Sequence, residues 1–428
     1  MKQKSVHVLG LSVAIACALA LTACSSGNGA GSGPTQLVMT IWGSDNDTKT
    51  YQERADAYTV TNPDVKVTVR NIPVDNYAQQ VNTMLSGGDA PDLILVDGNS
   101  APGLASRGAL VDLSPLIQAA NLDPASVVDA GRLTGYALNG KQYALPDRGG
   151  NIVFYYNKTM FDAAGVAYPT AGWTWDQMVS AAQKLTIREG DQTTQWGVAV
   201  DDWPNATASV LTSFGCVWFN DDMTKSTVDS PECQNGLQKY GDLSLTLKVS
   251  PTLQEYADYG QNVNRDALFA QSQAAMIWAG VWDVPDFVAQ GLSFGLVPPP
   301  IGVAGNPNMQ AFGTGIAIAS ASKNQDAAWG VLQYMFSPDG QRPIVTNQQD
   351  VPSAKVLMSD WQANLPAGVT YDEVLKAGDL VFSQAAPPQI GEITQQFQKD
   401  LNPFFNGQAT AADTLTKAAA SMNSILSS

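Results

Sequence analysis

Histidine is almost missing from this chain: its 428 residues hold one, His7. That residue sits among the first 23, which read as an export leader. With no imidazole left, Ser-His-Asp and Cys-His catalysis and histidine-based zinc or copper sites are excluded. Only carboxylate, lysine or tyrosine chemistry remains, and no catalytic set, metal site or cofactor motif stands out. Positive charge is also short, with 23 Lys and Arg against 39 Asp and Glu and a formal net charge of −16. An acidic chain without basic runs is a poor partner for nucleic acid or anionic lipid. Past the leader no run is suited to spanning a bilayer. Residues 287–322 carry no charge, but Pro298-Pro299-Pro300 and several glycines break the segment, which reads as buried backbone.

The leader has a positive start, Lys2 and Lys4, and an apolar stretch from Val8 to Leu21 that is short for a membrane span. It ends in Leu21-Thr22-Ala23-Cys24, which resembles the lipobox of bacterial lipoprotein signals. The resemblance implies cleavage before Cys24 and acylation of its thiol and new amino terminus; the other reading is an ordinary signal peptide with a chance cysteine. Residues 24–35 are rich in Ser, Gly, Ala and Asn, a flexible tether that cannot bury a core. Cutting 23 residues from 428 leaves 405, more than one core usually holds, so two domains are expected. Both leader lysines leave and every carboxylate stays, which moves the formal charge from −16 to −18. Of the four cysteines, Cys17 leaves and Cys24 is the lipid site. Cys216 and Cys233 remain, either as buried thiols or, as the oxidising export context favours, as a disulfide.

Periodicity alternates between strand and helix. Leu37–Trp42 reads as a strand, Thr48–Thr61 as a helix, and Val65–Ile72 alternates as a half-buried strand does. Tyr77–Ser86 reads as a helix stopped by Gly87-Gly88, and Pro91–Asp97 as a strand inside a parallel sheet. Asn151–Asn157, Gly197–Val200, Phe294–Pro298 and Gly315–Ala319 read as further strands. Trp173–Ile187, Glu232–Leu245, Asn324–Phe336, Gly391–Phe405 and Ala411–Leu426 read as helices, and Phe269–Trp278 as a helix running into a strand. This order predicts an α/β protein.

Several blocks, in order along the chain, resemble those of the bacterial extracellular solute-binding proteins that include the maltose-binding type. They are Gly88-Asp89-Ala90-Pro91-Asp92-Leu93; Tyr156-Asn157-Lys158-Thr159-Met160-Phe161 with Ala164-Gly165, Pro169 and Trp173-Thr174-Trp175-Asp176; Ala274-Ala275-Met276 with Gly280 and Trp282; Gly313–Lys323 with Ala327-Ala328-Trp329; and Val351-Pro352-Ser353. The resemblance implies a periplasmic-binding-protein-like fold: two discontinuous α/β lobes around a ligand cleft, joined by hinge strands. One lobe would comprise 36–147 with 302–348, the other 148–301 with 349–428. It further implies a monomeric, lipid-anchored, extracytoplasmic receptor that is not an enzyme, closes on a carbohydrate and docks on the transmembrane permease subunits of an ABC importer.

A sugar presents apolar C–H faces and a ring of hydroxyls, so its site calls for aromatic platforms and planar polar groups that pair two hydroxyls at once. Candidates fall where strands end and loops begin. They are Trp42 with Asp45 after the first strand, Asp97 ending the third, Asp147 and Arg148 at the first lobe crossing, and Trp203 and Asn205 in a polar loop. Trp278 and Trp282, and then Phe312 and Gly313 at the second crossing, complete the set. Each has a plainer reading: Trp42 and Trp278 as core, Asp45 as a helix cap or turn, Asp97 as a turn residue, Asp147 and Arg148 as a hinge ion pair. Trp173, Trp175, Trp196, Trp218, Trp329 and Trp361 are assigned to the core. The carboxylate that the maltose-binding type carries at the first crossing aligns near Gly150-Asn151, which argues against maltose in particular. Two rivals stand beside this reading. One keeps the fold but takes a polyamine, a peptide or a ferric complex. The other is a secreted glycoside hydrolase working with two carboxylates across a cleft.

Overall fold

A computed structural model of the chain describes residues 33–190, 192–260, 263–377, 380–382 and 387–427. The leader and Cys24 lie outside the described residues.

Among the described residues, eight strands join in one continuous sheet: β1 (Thr35–Ile41), β2 (Val65–Asn71), β3 (Leu93–Asp97), β4 (Ala144–Asn157), β5 (Met276–Gly280), β6 (Phe294–Val297), β7 (Met309–Ile318) and β8 (Val381–Phe382). The path runs β6-β4-β7-β3-β1-β2, with β5 also paired to β4 and β8 to β7. β1 pairs in parallel with β2 and β3, as strand–helix–strand crossovers require. The helix between β1 and β2 begins at Asp45, three residues before the expected start. Ser44 explains the difference. Its side chain accepts from the Asp47 amide, and the Asp47 carboxylate accepts in turn from the Ser44 amide at 2.6 Å, a capping box that satisfies orphan donors of the first turn.

β4 is the longest strand, and it runs through two cores. At its start Ala144 and Leu145 lie in a first core with Met39, Ile41, Leu95, Ile316 and Leu332. Toward its end the residues alternate. Ile152, Phe154 and Tyr156 face a second core with Leu211, Tyr240, Trp278 and Phe404, while Val153 and Tyr155 face a third with Phe269, Ile277 and Phe294. That period of two is what a strand covered on both faces produces. β7 makes the reverse journey, with Met309 in the third core and Ile316–Ile318 in the first. The two strands cross as antiparallel neighbours, pairing Gly149 with Gly313 and Gly150 with Phe312. The charge-free stretch thus supplies β6 and β7; β6 is buried, as expected, while the turn at 303–305 between the strands is exposed.

Ser337, where the Gln325–Phe336 helix ends, also caps a new helix, Pro338–Thr346, because its hydroxyl accepts from the Gly340 amide. One reading needs correction. Gly197–Val200 is not a regular strand: only isolated parallel bridges, Trp196 to Ala274 and Ala199 to Ile277, join this stretch to its neighbour. The six tryptophans assigned to the core pack there, although Trp173 is only partly buried. No described helix is long and apolar enough to cross a membrane.

Cys216 and Cys233 form a disulfide that ties the end of the Pro204–Ser213 helix to the start of the Pro231–Leu245 helix. It closes a loop with a sequence separation of 17. In the chain-entropy account such a link contributes about 3 kcal/mol. The Cys216→Ser, Cys233→Ser variant is expected to lose roughly that amount of stability, read by urea unfolding with the slope fitted for each protein, with a loss below about 1 kcal/mol contradicting the assignment.

Candidate functional site

A cleft of about 820 Å³ lies between the first and second cores, beside the strand crossing. The first wall is carried by the ends of β1 and β3. Trp42 closes edge-on against Tyr77, ring centroids 4.8 Å apart. Tyr77 is itself held, since its hydroxyl donates to the Leu95 carbonyl at 2.8 Å. Asp97 ends β3; its Oδ1 accepts from the Ser100 amide at 2.6 Å and the Asn99 amide at 3.0 Å. Burial pushes its pKa up, and the Ser100 and Asn99 bonds only partly offset that. The second wall carries Trp203 and Asn205 at the start of the Pro204–Ser213 helix, Trp282, and Glu392 with Gln395 from the Ile390–Phe405 helix. Trp282 leans on Phe312 of β7 with centroids 5.5 Å apart, which joins the second wall to the crossing.

At the crossing a polar network faces the cleft. Arg148 of β4 pairs with Asp47 at 3.0 Å and with Asp350 at 3.5 Å, and its Nε donates to the Tyr51 hydroxyl at 3.3 Å. Gln349 donates to Asp47 at 2.6 Å. The helix after β1, the crossing strand and the segment after the Pro338–Thr346 helix therefore meet at one guanidinium. Burial raises the Asp350 carboxyl to about 6, against the opposing pull of Arg148. Gln349 Oε1 and Thr314 Oγ1 are buried on the cleft lining with no hydrogen-bond partner among the described residues. Buried polar atoms of this kind ordinarily find partners.

Of the sequence candidates, Trp42, Asp97, Arg148, Trp203, Asn205, Trp282, Phe312 and Gly313 come together on this cleft. Three do not. Asp45 is an exposed residue opening its helix, off the cleft; Ser44, not Asp45, makes the cap. Asp147 is buried off the cleft lining, where it pairs with Arg54 and accepts at 2.6 Å from the same Tyr51 hydroxyl that Arg148 reaches. The register shift between Thr314 and Gly315 leaves Asp147 as the extra residue of a β-bulge, which interrupts the regular alternation of the strand. Its neighbour Arg148 takes the cleft side. Trp278 is 1% exposed and packs edge-on against Phe154 and Tyr240 in the second core. Trp282, four residues on, reaches the cleft instead, because β5 stops at Gly280 and Trp282 lies in a 3-10 turn, Val281–Asp283. Sequence reading missed Asp47, Tyr77, Asp283, Asp286, Thr314, Gln349, Asp350 and Glu392, all on the lining. Asp283 and Asp286 were within reach, as neighbours of Trp282. Gln349 and Asp350 follow an unremarked helix and carry no local signal.

A family model described as bacterial extracellular solute-binding protein matches residues 42–342 of this chain. The galactooligosaccharide-binding protein of Bacillus subtilis is 22% identical over 381 residues, 83% of this chain and 82% of that protein. An ABC substrate-binding protein of Listeria monocytogenes, solved in complex with cycloalternan, superposes with a TM-score of 0.85 at 24% identity, covering 92% of this chain and 99% of that one. A receptor of Streptomyces glaucescens, solved unliganded and with acarbose, superposes with a TM-score of 0.77 at 21% identity, covering 92% and 98%. These likenesses establish the two-lobed binding-protein fold.

The raised Asp350 fixes the sign of a pH effect. Its proton is held more tightly in the folded chain than in the unfolded one, so its contribution to stability is complete below the unfolded pKa of 3.8 and is lost as pH rises through about 6. Asp350→Asn removes that dependence. The stability of the natural chain relative to this variant is expected to fall by about 3 kcal/mol between pH 3.5 and 7.5, measured by urea unfolding at each pH; a difference independent of pH would contradict the burial argument.

Proposed function

This chain belongs to the bacterial extracellular solute-binding protein family, and from that premise we propose that it captures a carbohydrate, an oligosaccharide rather than a single ring, in the cleft and hands it to the permease subunits of an ABC importer. One observation carries the reading: four aromatic rings, Trp42, Trp203, Trp282 and Phe312, line a single cleft from both sides together with Arg148, Asp97 and Asn205. Aromatic faces suit the C–H faces of sugar rings, and the planar charged and amide groups suit paired hydroxyls. A volume of about 820 Å³ lies within the range of ordinary ligand pockets and has room for more than one ring. The galactooligosaccharide-binding relative and the saccharide-bound structural neighbours support the same class.

Acylated Cys24 and the tether after it would hold the receptor at the outer face of the cell membrane, close to the permease. The two halves, 36–147 with 302–348 and 148–301 with 349–428, would rotate about the crossing to enclose the sugar, which leaves unchanged, without turnover.

A second reading draws on one specific observation. The lining carries Asp47, Asp97, Asp283, Asp286, Asp350 and Glu392 but only Arg107 and Arg148 as cations. A polyamine would answer that surplus, with the aromatic rings boxing its ammonium groups.

Thermal unfolding of residues 34–428 against mono- and oligosaccharides, with spermidine and ferric citrate as controls, separates the two. A sugar present at 100 times its Kd adds about 2.7 kcal/mol of stability. A shift with one group of oligosaccharides and none with spermidine is expected; the reverse pattern would move the ligand to the polyamine class. Trp282→Ala is expected to weaken the binding sugar by about 10- to 100-fold, the worth of one stacked aromatic at ~1.5–3 kcal/mol, read by calorimetric titration. A loss below about threefold would take Trp282 out of the site.

A further inference from the structure

Trp203 shows the cleft only part of itself. Under its ring lies the guanidinium of Arg265, with the central carbon 3.9 Å from the ring centroid. Arg265 is 6% exposed and is not part of the cleft lining. It opens the short helix Arg265–Ala270 and is tied down on every edge. Its Nε donates to the Trp278 carbonyl at 2.8 Å, Nη1 to both oxygens of Asp201 at 3.0 and 3.2 Å, and Nη2 pairs with Asp266 at 3.2 Å. Asp201 also accepts from the Trp203 amide at 3.1 Å. One carboxylate therefore anchors both the backbone that carries the ring and the cation that stacks beneath it.

We infer that Arg265 is a positioning residue for binding: a buried, planar backing that fixes the plane of Trp203, so that the stacking face is set before any sugar arrives. The choice of arginine follows from the geometry. A lysine would keep the charge beside Asp201 and Asp266, but it offers a point rather than a plane and cannot hold the same fork of bonds. Free aromatic side chains rotate broadly about their second torsion. Ordering such a ring at the moment of binding costs affinity, and a ring already ordered avoids that cost. The effect on ring order stands alone; the effect on affinity rests on the saccharide reading above.

The test begins without sugar. In protein labelled with 5-fluorotryptophan, the Trp203 fluorine line is identified by its loss in Trp203→Phe. In Arg265→Lys this line is expected to shift and broaden while the Trp42 line stays in place; an unmoved Trp203 line would overturn the inference. Should Arg265→Lys fail to fold, Asp266→Asn frees one corner of the guanidinium and leaves Asp201 bound, and the same line is read. The second measurement is a double-mutant cycle with the tightest binder among maltotriose, cellotriose and galactotriose. Arg265→Lys is expected to weaken binding about 3- to 10-fold when Trp203 is present and to have no further effect in a Trp203→Ala background. Equal losses in both backgrounds would mean that Arg265 acts through the fold alone, which sinks the inference. If none of these sugars binds, the saccharide reading fails and the fluorine line still decides the role of Arg265.

Discussion

Two strands have to pass side by side from one core to another, and the backbone there is packed too closely for side chains. A Cβ on Gly149 would come within 2.7 Å of the Phe312 carbonyl oxygen and 2.8 Å of the Gly313 Cα, and one on Gly150 would fall 1.9 Å from Val281 Cγ1. Side chains at both places are excluded by contact alone. The close approach lets β4 and β7 pair on both sides of the bulge, with separate cores beyond it and the cleft beside the crossing. The bulge at Asp147 does the remaining sorting. It sends one carboxylate inward to Arg54 and leaves the next residue, Arg148, on the cleft side.

The cleft itself is governed by the cost of burying charge. Arg54, Arg148 and Arg265 are each nearly or wholly buried, and each is met by carboxylates: Asp147; Asp47 and Asp350; Asp201 and Asp266. A buried cation without such partners would be untenable, whereas paired ones fix register and orientation while adding little net stability. Two of the three clusters hold groups of the cleft lining in place. Arg148 is presented to the cleft by its acids, and Arg265 holds the Trp203 ring from behind. Rigid polar and aromatic groups, set before binding, waste less of the interaction energy on ordering.

Much of the fold could be read from local pattern. Val65–Asn71 and Leu93–Asp97 follow the expected alternation and apolar run, and the C-terminal helices Ile390–Phe405 and Ala411–Leu426 fall where their periodicity put them. The candidate site was legible where a distinctive residue stood at or just past the end of a strand, or at the head of a helix, as with Trp42, Asp97 and Trp203. It was illegible where the outcome depended on which face of a strand was turned outward. Asp147 and Arg148 are adjacent letters at a bulge that share the Tyr51 hydroxyl, yet only Arg148 reaches the cleft lining. Trp278 and Trp282 look equivalent until the strand is seen to stop between them. Gln349 and Asp350 reach the cleft from about 300 residues away in sequence from Asp47, which Gln349 bonds, and no local pattern encodes such a meeting.

The central claim is that two rigid halves hinge at the glycine crossing and close on a saccharide held between the tryptophans. Small-angle X-ray scattering of residues 34–428, with and without the saccharide that most stabilises the protein, tests it most directly. Closure predicts a smaller radius of gyration and a shorter maximum dimension at saturation, with both changes lost in the Trp203→Ala, Trp282→Ala double variant at the same sugar concentration. Superimposable curves for the free and saturated natural chain would contradict it.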